Sequence, residues 1–206
     1  AALAGTHPDG LVLPKAEGAR DVAALAAMLP GVPILPVATE SPAAVFALGD
    51  YGSAAAQLAG LTWGAEDLPA AIGSVSRETD GRYTPVFEVV RSLALLGAHA
   101  AGVPAIETVY PDFRDLDGLA AYARRGARDG FTGMMAIHPA QVEAINAAFT
   151  PTADEVAHAR AVVAAFAANP GVGALQLDGR MIDAPHRKAA EKLLARAGDA
   201  LSDPAA

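Results

Sequence analysis

Acidic side chains follow two short apolar segments of this chain, at positions where they could do chemistry. Glu40 comes after the apolar segment 32–37, and Asp67 follows the segment 59–64. If the two segments are neighbouring strands, both carboxylates project at one end of a sheet, and carboxylate oxygens are ligands that Mg²⁺ prefers. Acidic residues also favour helix N-termini because of the helix dipole. The residues alone therefore leave a metal site and two ordinary helix starts open.

Two other residues at predicted strand ends suggest different chemistry. Lys15 could form a Schiff base with a carbonyl substrate if desolvation lowered its pKa, or it could be a solvated lysine that contacts an anion. His138 precedes Pro139 and is either an acid/base group or the residue before a helix that begins with proline. The remaining polar residues after the predicted strands are Glu17, Thr39, Glu66, Tyr110 and Asp112.

The elements that would position these residues alternate between two patterns. Short apolar runs bounded by Gly or Pro predict buried parallel strands at 10–14, 32–37, 59–64, 104–110 and 133–138. Helical spacing predicts helices at 18–29, 41–58, 84–101, 115–128 and 139–148, then at 152–168 and 184–198, with a strand-like piece at 174–177. Strand and helix repeated five times is the α/β pattern.

Two architectures fit five β-α units. One is a (β/α)₈ TIM barrel of which this chain carries the last five units, and the other is a five-stranded doubly wound sheet. The chain begins at Ala1 without an initiator Met and soon enters a strand, so we expect the first three units to be absent. The expected organisation is a barrel part over 1–150 and a C-terminal helical lid segment over 151–206.

Composition excludes several classes of protein. The chain has 206 residues, 52% of them hydrophobic, and 15 basic minus 23 acidic residues give a net charge of −8. It is too apolar for a disordered chain, and its longest apolar stretches are shorter than the roughly 18 residues of a membrane helix. The acidic balance argues against nucleic acid as a partner. Without cysteine there is no disulfide and no thiol catalysis, which suits a cytoplasmic enzyme.

Common catalytic signatures are also missing. The sequence contains no phosphate-binding G-x-x-x-x-G-K-[ST] loop, no G-x-S-x-G elbow, no G-x-G-x-x-G after a strand and no H-E-x-x-H zinc motif. P-loop phosphoryl transfer, serine hydrolysis and hydride transfer therefore lose most of their support.

Five motifs together resemble one enzyme family. They are Leu13-Pro-Lys-Ala-Glu17, Pro36-Val-Ala-Thr-Glu-Ser41, Trp63-Gly-Ala-Glu-Asp-Leu68, Ala136-Ile-His-Pro-Ala-Gln141 and Asp178-Gly-Arg-Met-Ile-Asp-Ala-Pro185. In this order they resemble the citrate lyase β-subunit-like (CitE-like) branch of the HpcH/HpaI aldolases, which includes malyl-CoA and citramalyl-CoA lyases. The resemblance implies a (β/α)₈ barrel whose last five strands are those predicted above.

The resemblance also assigns roles to residues. It makes Glu40 and Asp67 the Mg²⁺ ligands, and it gives Glu66, beside Asp67, either a supporting contact to the ligands or a contact to water. It implies a C-terminal lid that reaches a neighbouring subunit of a homo-oligomer, a trimer or a multiple of one. On that lid Asp183 exchanges a proton with the acyl-CoA α-carbon, and it can also be the N-cap of the final helix.

The chain departs from the family pattern in two places. The first three strands, with a substrate-binding arginine and an Asp-Leu-Glu-Asp stretch, are not in this sequence. Before the metal-binding glutamate the family usually has Leu-Ile, whereas this chain has Ala38-Thr39, which hints at a divergent substrate.

The implied reaction is a reversible Claisen-like cleavage of a 3-hydroxyacyl-CoA dicarboxylate into an acyl-CoA and a 2-oxoacid such as glyoxylate or pyruvate. An acidic protein must bind polyanionic CoA through a local cluster, for which the candidates are Arg77, Arg82 and Tyr83, with Lys15 and Arg180 behind them. A solvated loop with ordinary surface charge is the other interpretation of this segment. Alternatives are a non-catalytic structural barrel subunit and an aldolase of free hydroxy-diacids.

Overall fold

Five short parallel strands organise the first part of the chain. They are β1 (Leu11–Leu13), β2 (Ile34–Pro36), β3 (Leu61–Thr62), β4 (Ala105–Glu107) and β5 (Gly133–Met134). β1 pairs with β2, β3 with β4 and β4 with β5, while a parallel bridge between Val37 and Thr62 connects β2 to β3. The strands thus lie in chain order without the reversal of a doubly wound sheet. Over residues 8–198 they form an α/β arrangement that is not a closed barrel.

The computed structural model describes residues 8–198, so the chain start at Ala1 lies outside the described residues. The chain divides into two units, 1–146 and 147–206. Helical segments up to residue 149 are α1 (Ala19–Met28), α2 (Pro42–Phe46), a 3-10 segment (Leu48–Gln57), α3 (Leu68–Ile72), α4 (Pro85–Ala101), α5 (Leu116–Asp129), a 3-10 turn (Pro139–Gln141) and α6 (Val142–Phe149). The second unit contains α7 (Ala153–Ala168), β6 (Ala174–Leu177), β7 (Arg180–Asp183) and α8 (Ala184–Arg196).

Local signals explain most helix boundaries. α4 begins with Pro85 at its first position, and α5 begins where the side chain of Asp115 accepts a hydrogen bond from the backbone N–H of Gly118 at 2.9 Å. The predicted single helix over 41–58 is wrong, because the second half is the 3-10 segment. That half contains Gly49, Asp50 and Gly52, which are poor α-helix formers.

The second unit contains a hairpin that the sequence analysis did not predict in full. β6 and β7 pair antiparallel, and the two residues between them, Asp178 and Gly179, both have positive φ angles of 48° and 77°. An Asp-Gly pair between two strands is the usual signal for such a turn. The core of this unit consists of Ala159, Val162, Phe166, Ile182, Ala190 and Leu194.

The core of the first unit includes a buried charge. Glu107, at the end of β4, is fully buried, and its Oε2 lies 2.6 Å from the guanidinium of Arg91 on α4. Its Oε1 accepts hydrogen bonds from the indole N–H of Trp63 and from the hydroxyl of Tyr122 on α5. Arg91 also binds Asp129 at 2.6 Å. Burial by itself lowers the pKa of Arg91, but the two carboxylates outweigh it and hold that pKa above its usual value.

This network generates a stability prediction. Arg91→Leu leaves the Glu107 carboxylate buried without its cation, and we expect the free energy of unfolding to fall by about 3–5 kcal/mol in urea denaturation. The second substitution Glu107→Gln, added to Arg91→Leu, removes the orphaned charge and should recover part of that loss. Arg82→Leu, which removes an exposed arginine, is the control and should leave stability near the parent value. Equal effects of Arg91→Leu and Arg82→Leu would contradict the prediction.

Candidate metal and substrate site

Three predicted site residues meet at the carboxyl ends of three neighbouring strands. Lys15 follows β1, Glu40 follows β2, and Asp67 follows β3. The ammonium group of Lys15 binds Asp67 Oδ1 at 2.6 Å, and the backbone N–H of Lys15 donates a hydrogen bond to Glu40 Oε2. Because parallel strands end at the same edge, a short stretch after each strand is enough to bring these groups together.

The environment of the two carboxylates differs. Burial is the main cause that raises the pKa of the half-buried Glu40, and the nearby Asp67 carboxylate raises it further. The hydrogen bond from Lys15 holds the pKa of Asp67 below its usual range. Two carboxyl groups this close together repel each other when both are ionised, and a positive charge beside them offsets that repulsion.

The donor set fits a hard divalent cation. Glu40 and Asp67 offer carboxylate oxygens from two loops, and the ammonium of Lys15 already lies against one of them. Within residues 8–198 there is no group of three or more His, Cys, Asp or Glu side chains placed to hold a metal. Mg²⁺ commonly uses one or two carboxylates and completes its shell with water and substrate oxygens, so two ligands are sufficient for it.

Lys15 itself is held in an uncommon backbone conformation. Its φ angle is 54°, in the left-handed region that non-glycine residues rarely adopt. This conformation directs its backbone N–H to Glu40. The hydrogen bond with Asp67 raises the pKa of the Lys15 ammonium, whereas a Schiff base requires a lowered pKa. The geometry therefore favours Lys15 as a cationic partner of the carboxylates over a covalent role.

Gly64 allows the two loops to approach each other. A Cβ atom added at Gly64 would lie 2.9 Å from Cγ of Glu40 and 3.0 Å from Cγ1 of Val37. Both distances are shorter than side chains normally tolerate, so a larger residue would displace Glu40. The glycine in the Trp63–Leu68 motif is thus required by close packing at the site.

Arg77 and Tyr83 belong to an aromatic cluster beside the end of β3. The buried Tyr83 ring packs edge-on against Trp63, with 5.0 Å between ring centroids, and burial raises the pKa of its hydroxyl to about 12. Arg77 donates hydrogen bonds to the Tyr83 hydroxyl at 2.7 Å and to the Gly81 carbonyl at 3.0 Å. Within residues 8–198 Arg77 has no ion pair with a carboxylate, so its guanidinium retains donors and charge for an anion.

Arg82 is placed differently. It binds Asp80 at 2.7 Å, and both side chains are largely exposed. It borders a cleft of about 630 Å³ whose other charged residues are Glu78, Asp80, Glu88 and Arg125. Arg125 is paired with Glu88 in turn. Acidic groups outnumber basic ones there, which makes this cleft a poor place for an anion.

Asp183 begins α8 in the second unit. Its Oδ1 accepts a hydrogen bond from the backbone N–H of His186 and lies 2.6 Å from His186 Nδ1, and Pro185 occupies the first turn. The predicted N-cap is thus confirmed. The hydrogen bond with the His186 side chain lowers the pKa of Asp183, so the carboxylate is ionised at neutral pH.

The Ile-His-Pro-Ala-Gln motif links two strand ends. His138 caps the 3-10 turn through Nδ1, which accepts from the N–H of Ala140 at 3.1 Å, as the structural alternative predicted. The fully buried Gln141 accepts from the N–H of Ile137 and donates to the carbonyl of Tyr110. Sequence reasoning missed Gln141, although an amide in an otherwise apolar helix start is a signal of such a role.

Comparison with known proteins identifies relatives over nearly the whole chain. The citrate lyase subunit beta-like protein of Mycobacterium tuberculosis is 41% identical over 203 residues, which are 98% of this chain and 71% of that protein. The (3S)-malyl-CoA thioesterase of Cereibacter sphaeroides is 34% identical over 96% of this chain and 68% of its own length. The crystal structure of CitE from M. tuberculosis with magnesium, acetoacetate and coenzyme A superimposes with a TM-score of 0.81 at 36% identity and covers 96% of this chain and 71% of that one.

No helix within residues 8–198 has the length and apolar character needed to cross a bilayer.

The comparisons with known proteins also assign the chain to a family. The sequence profile of the HpcH/HpaI aldolase/citrate lyase family matches residues 1–139, which include Lys15, Glu40 and Asp67. The α/β fold agrees with that of the solved relative. The chain belongs to the HpcH/HpaI aldolase/citrate lyase family.

Proposed function

We propose that this protein is a Mg²⁺-dependent carbon–carbon lyase that cleaves a 3-hydroxyacyl-CoA dicarboxylate into an acyl-CoA and a 2-oxoacid. The observation that carries the proposal is the convergence of Glu40 and Asp67 at adjacent strand ends, with Lys15 bound to both. Its M. tuberculosis relative was crystallised with magnesium, acetoacetate and coenzyme A. Substrates of the malyl, methylmalyl, citramalyl or citryl type match the carboxylates and the ammonium group at this edge of the sheet. Within residues 8–198, Arg77 near the end of β3 adds a guanidinium without a carboxylate partner.

Glu40 and Asp67 are the residues that would hold Mg²⁺. Bound there, the ion would supply a Lewis acid for the oxygen that becomes the carbonyl of the 2-oxoacid. The backbone N–H of Lys15 keeps Glu40 oriented, and its ammonium keeps Asp67 ionised. Asp67 is therefore held in the charged form that a cation requires, whereas the raised pKa of Glu40 means that the cation itself would favour ionisation of that carboxyl.

Asp183 is proposed as the proton-exchanging group at the acyl-CoA α-carbon. In the condensation direction its carboxylate takes a proton from that carbon, and in cleavage it returns the proton to the enolate. The hydrogen bonds from His186 fix the orientation of the carboxylate at the start of α8. In the proposed assembly, segment 151–206 acts as a lid that carries Asp183 to a neighbouring subunit.

Arg77 is the strongest candidate for binding an anionic group of CoA. Its guanidinium is oriented by Tyr83 and Gly81 and has donors left over. Tyr83 is buried, so in this proposal it orients Arg77. Arg82 is engaged by Asp80 and Lys15 by Asp67, which leaves both as weaker candidates.

The fold and assembly extend this proposal. We propose that the five parallel strands, which lie in chain order, are the last five units of a (β/α)₈ TIM barrel, with residues 1–150 as the barrel part. A lid that serves a neighbouring subunit requires a homo-oligomer, which we propose to be a trimer or a multiple of one. The lack of cysteine and the net charge of −8 support a cytoplasmic enzyme without a nucleic-acid partner as part of this proposal.

Thioester hydrolysis is a second candidate function. It is supported by the 34% identity to the (3S)-malyl-CoA thioesterase of C. sphaeroides over 96% of this chain. Hydrolysis consumes water and releases free CoA and a dicarboxylic acid, whereas lysis releases a 2-oxoacid and keeps the thioester intact. The two reactions are thus distinguished by their products.

A substrate panel tests the proposed reaction. We expect the full chain with Mg²⁺ to release glyoxylate or pyruvate from malyl-, methylmalyl- or citramalyl-CoA, and EDTA to stop the release, when the oxoacid is followed by chromatography. A thiol reagent added in parallel detects free CoA without background, because the chain has no cysteine. Thiol without oxoacid would support the thioesterase, cleavage of free hydroxy-diacids would support the CoA-independent aldolase, and no product would support a structural subunit.

Removal of either proposed ligand should abolish metal-dependent turnover. For Glu40→Gln and Asp67→Asn we expect kcat/KM for oxoacid release to fall by about 10³-fold or more, because several kcal/mol of charge stabilisation depend on the cation. Glu143→Gln, which changes an exposed carboxylate on α6, is the control and should retain parent activity. Full activity of both ligand variants would contradict the assigned site.

Arg77 should matter for CoA affinity more than Arg82. We expect Arg77→Ala to weaken CoA binding about tenfold or more in calorimetric titration, because a charge-assisted hydrogen bond is lost. Arg77→Lys retains the charge without the planar fork and should recover only part of the affinity. Arg82→Ala is the matched control, and a larger loss there would reverse the assignment of the two arginines.

A further inference from the structure

The hydroxyl of Thr39 connects the two loops that carry Glu40 and Asp67. Thr39 is fully buried, and its Oγ1 accepts a hydrogen bond from the backbone N–H of Gly64 at 2.9 Å. The same hydroxyl donates to the carbonyl of Gly64 at 3.2 Å. One side chain thus engages both polar groups of a single peptide residue on the neighbouring loop.

This contact lies next to the parallel bridge between Val37 and Thr62 that connects β2 to β3. The last backbone hydrogen bond there runs from the N–H of Ala38 to the carbonyl of Thr62 at 2.9 Å. Beyond it the chain no longer pairs as strands, and the Thr39 side chain makes the next connection. The register of the two loops past the sheet therefore depends on a hydroxyl group.

The two contact residues lie next to the proposed ligands. Thr39 directly precedes Glu40, and Gly64 is three residues before Asp67. A Cβ added at Gly64 would lie 2.9 Å from Cγ of Glu40, so the Glu40 side chain packs directly against the backbone of Gly64. Ala65 and Leu68 are buried and anchor the rest of the second loop. A shift of Gly64 would change the separation of the two carboxylates.

We propose that Thr39 is a positioning residue, whose hydroxyl fixes Gly64 and thereby sets the spacing of Glu40 and Asp67 for a divalent cation. This inference rests on the proposed function, because it assumes that these two carboxylates bind a metal. It also gives a physical reason for the departure from the family pattern before Glu40. Thr39 is buried and bonded to the backbone, so it acts on the metal ligands and has no surface with which to select a substrate.

The chain provides a matched comparison for this proposal. Thr62 is a buried threonine at the end of β3, on the strand adjacent to β2. Within residues 8–198 its hydroxyl has no hydrogen-bond partner. Thr39→Val and Thr62→Val are the same chemical change in neighbouring buried positions, but only the first removes a hydrogen bond to Gly64.

The test is divalent-cation binding without substrate. Mn²⁺ binding to the full chain is followed by the loss of the free-ion signal in electron paramagnetic resonance, and Mg²⁺ binding by competition. We expect Thr39→Val to raise the dissociation constant about tenfold or more, the range found when groups that orient metal ligands are removed. Thr39→Ser keeps the hydroxyl and should stay within about threefold of the parent, as should Thr62→Val.

The outcomes separate this inference from the proposed function. If the parent binds Mn²⁺ and Thr39→Val binds it equally well, Thr39 does not position the site, while the metal site stands. If the parent binds no divalent cation, the proposed metal site fails and the positioning role fails with it. If Thr39→Val does not fold, Thr39→Ala removes the same hydroxyl without adding a methyl group, and Thr39→Ser remains its control. Parent-like Mn²⁺ binding by a folded Thr39→Ala variant would overturn the proposal.

Discussion

The Glu107 carboxylate is completely buried at the end of β4, and a buried carboxylate is stable only when other elements supply charge and hydrogen bonds to it. Arg91 supplies the charge from α4, while Trp63 and Tyr122 supply hydrogen bonds from the end of β3 and from α5. All three side chains must lie within hydrogen-bond distance of the Glu107 carboxylate. The position of Glu107 therefore restricts where α4, α5 and β3 can lie. A purely apolar contact would tolerate sliding, whereas this arrangement does not.

Trp63 connects the buried Glu107 network to the candidate site. The indole is fixed by Glu107 on one side and packs against Tyr83 on the other, and Tyr83 orients Arg77. The residue after Trp63 is Gly64, whose backbone supports Glu40 and is bound by Thr39. The proposed metal ligands and the proposed CoA-binding arginine therefore take their positions from the same aromatic side chain. Rigid support of this kind is what a metal site requires of its surroundings.

Local pattern predicted that Glu40 and Asp67 lie at one edge of the sheet if their segments are neighbouring strands, because parallel strands end at one edge and short loops cannot carry residues far from it. It left a metal site and two ordinary helix starts open, and only the family resemblance chose between them. Local pattern could not predict the long-range contacts that hold these carboxylates and their supporting residues in place. Lys15 and Asp67 are 52 residues apart in the chain, and Trp63 and Glu107 are 44 apart. Glu107 lies inside an apolar segment, where periodicity alone does not show that its carboxylate is buried and paired. The segment Leu48–Gln57 is a second case in which local pattern failed: helical spacing predicted an α-helix there, whereas the segment is 3-10.

Charge balance limits the order in which ligands can occupy the site. Glu40 and Asp67 carry two negative charges when ionised and Lys15 carries one positive charge, so the group by itself is negative, in a chain whose net charge is −8. A dicarboxylate or a CoA thioester approaching this edge of the sheet would be repelled. A divalent cation held by Glu40 and Asp67 would make the local sum of charges positive and would reverse that repulsion. In the proposed reaction an anionic substrate would therefore bind productively only after a cation has neutralised the carboxylates, and the half-buried position of Glu40 limits how far solvent screens this effect.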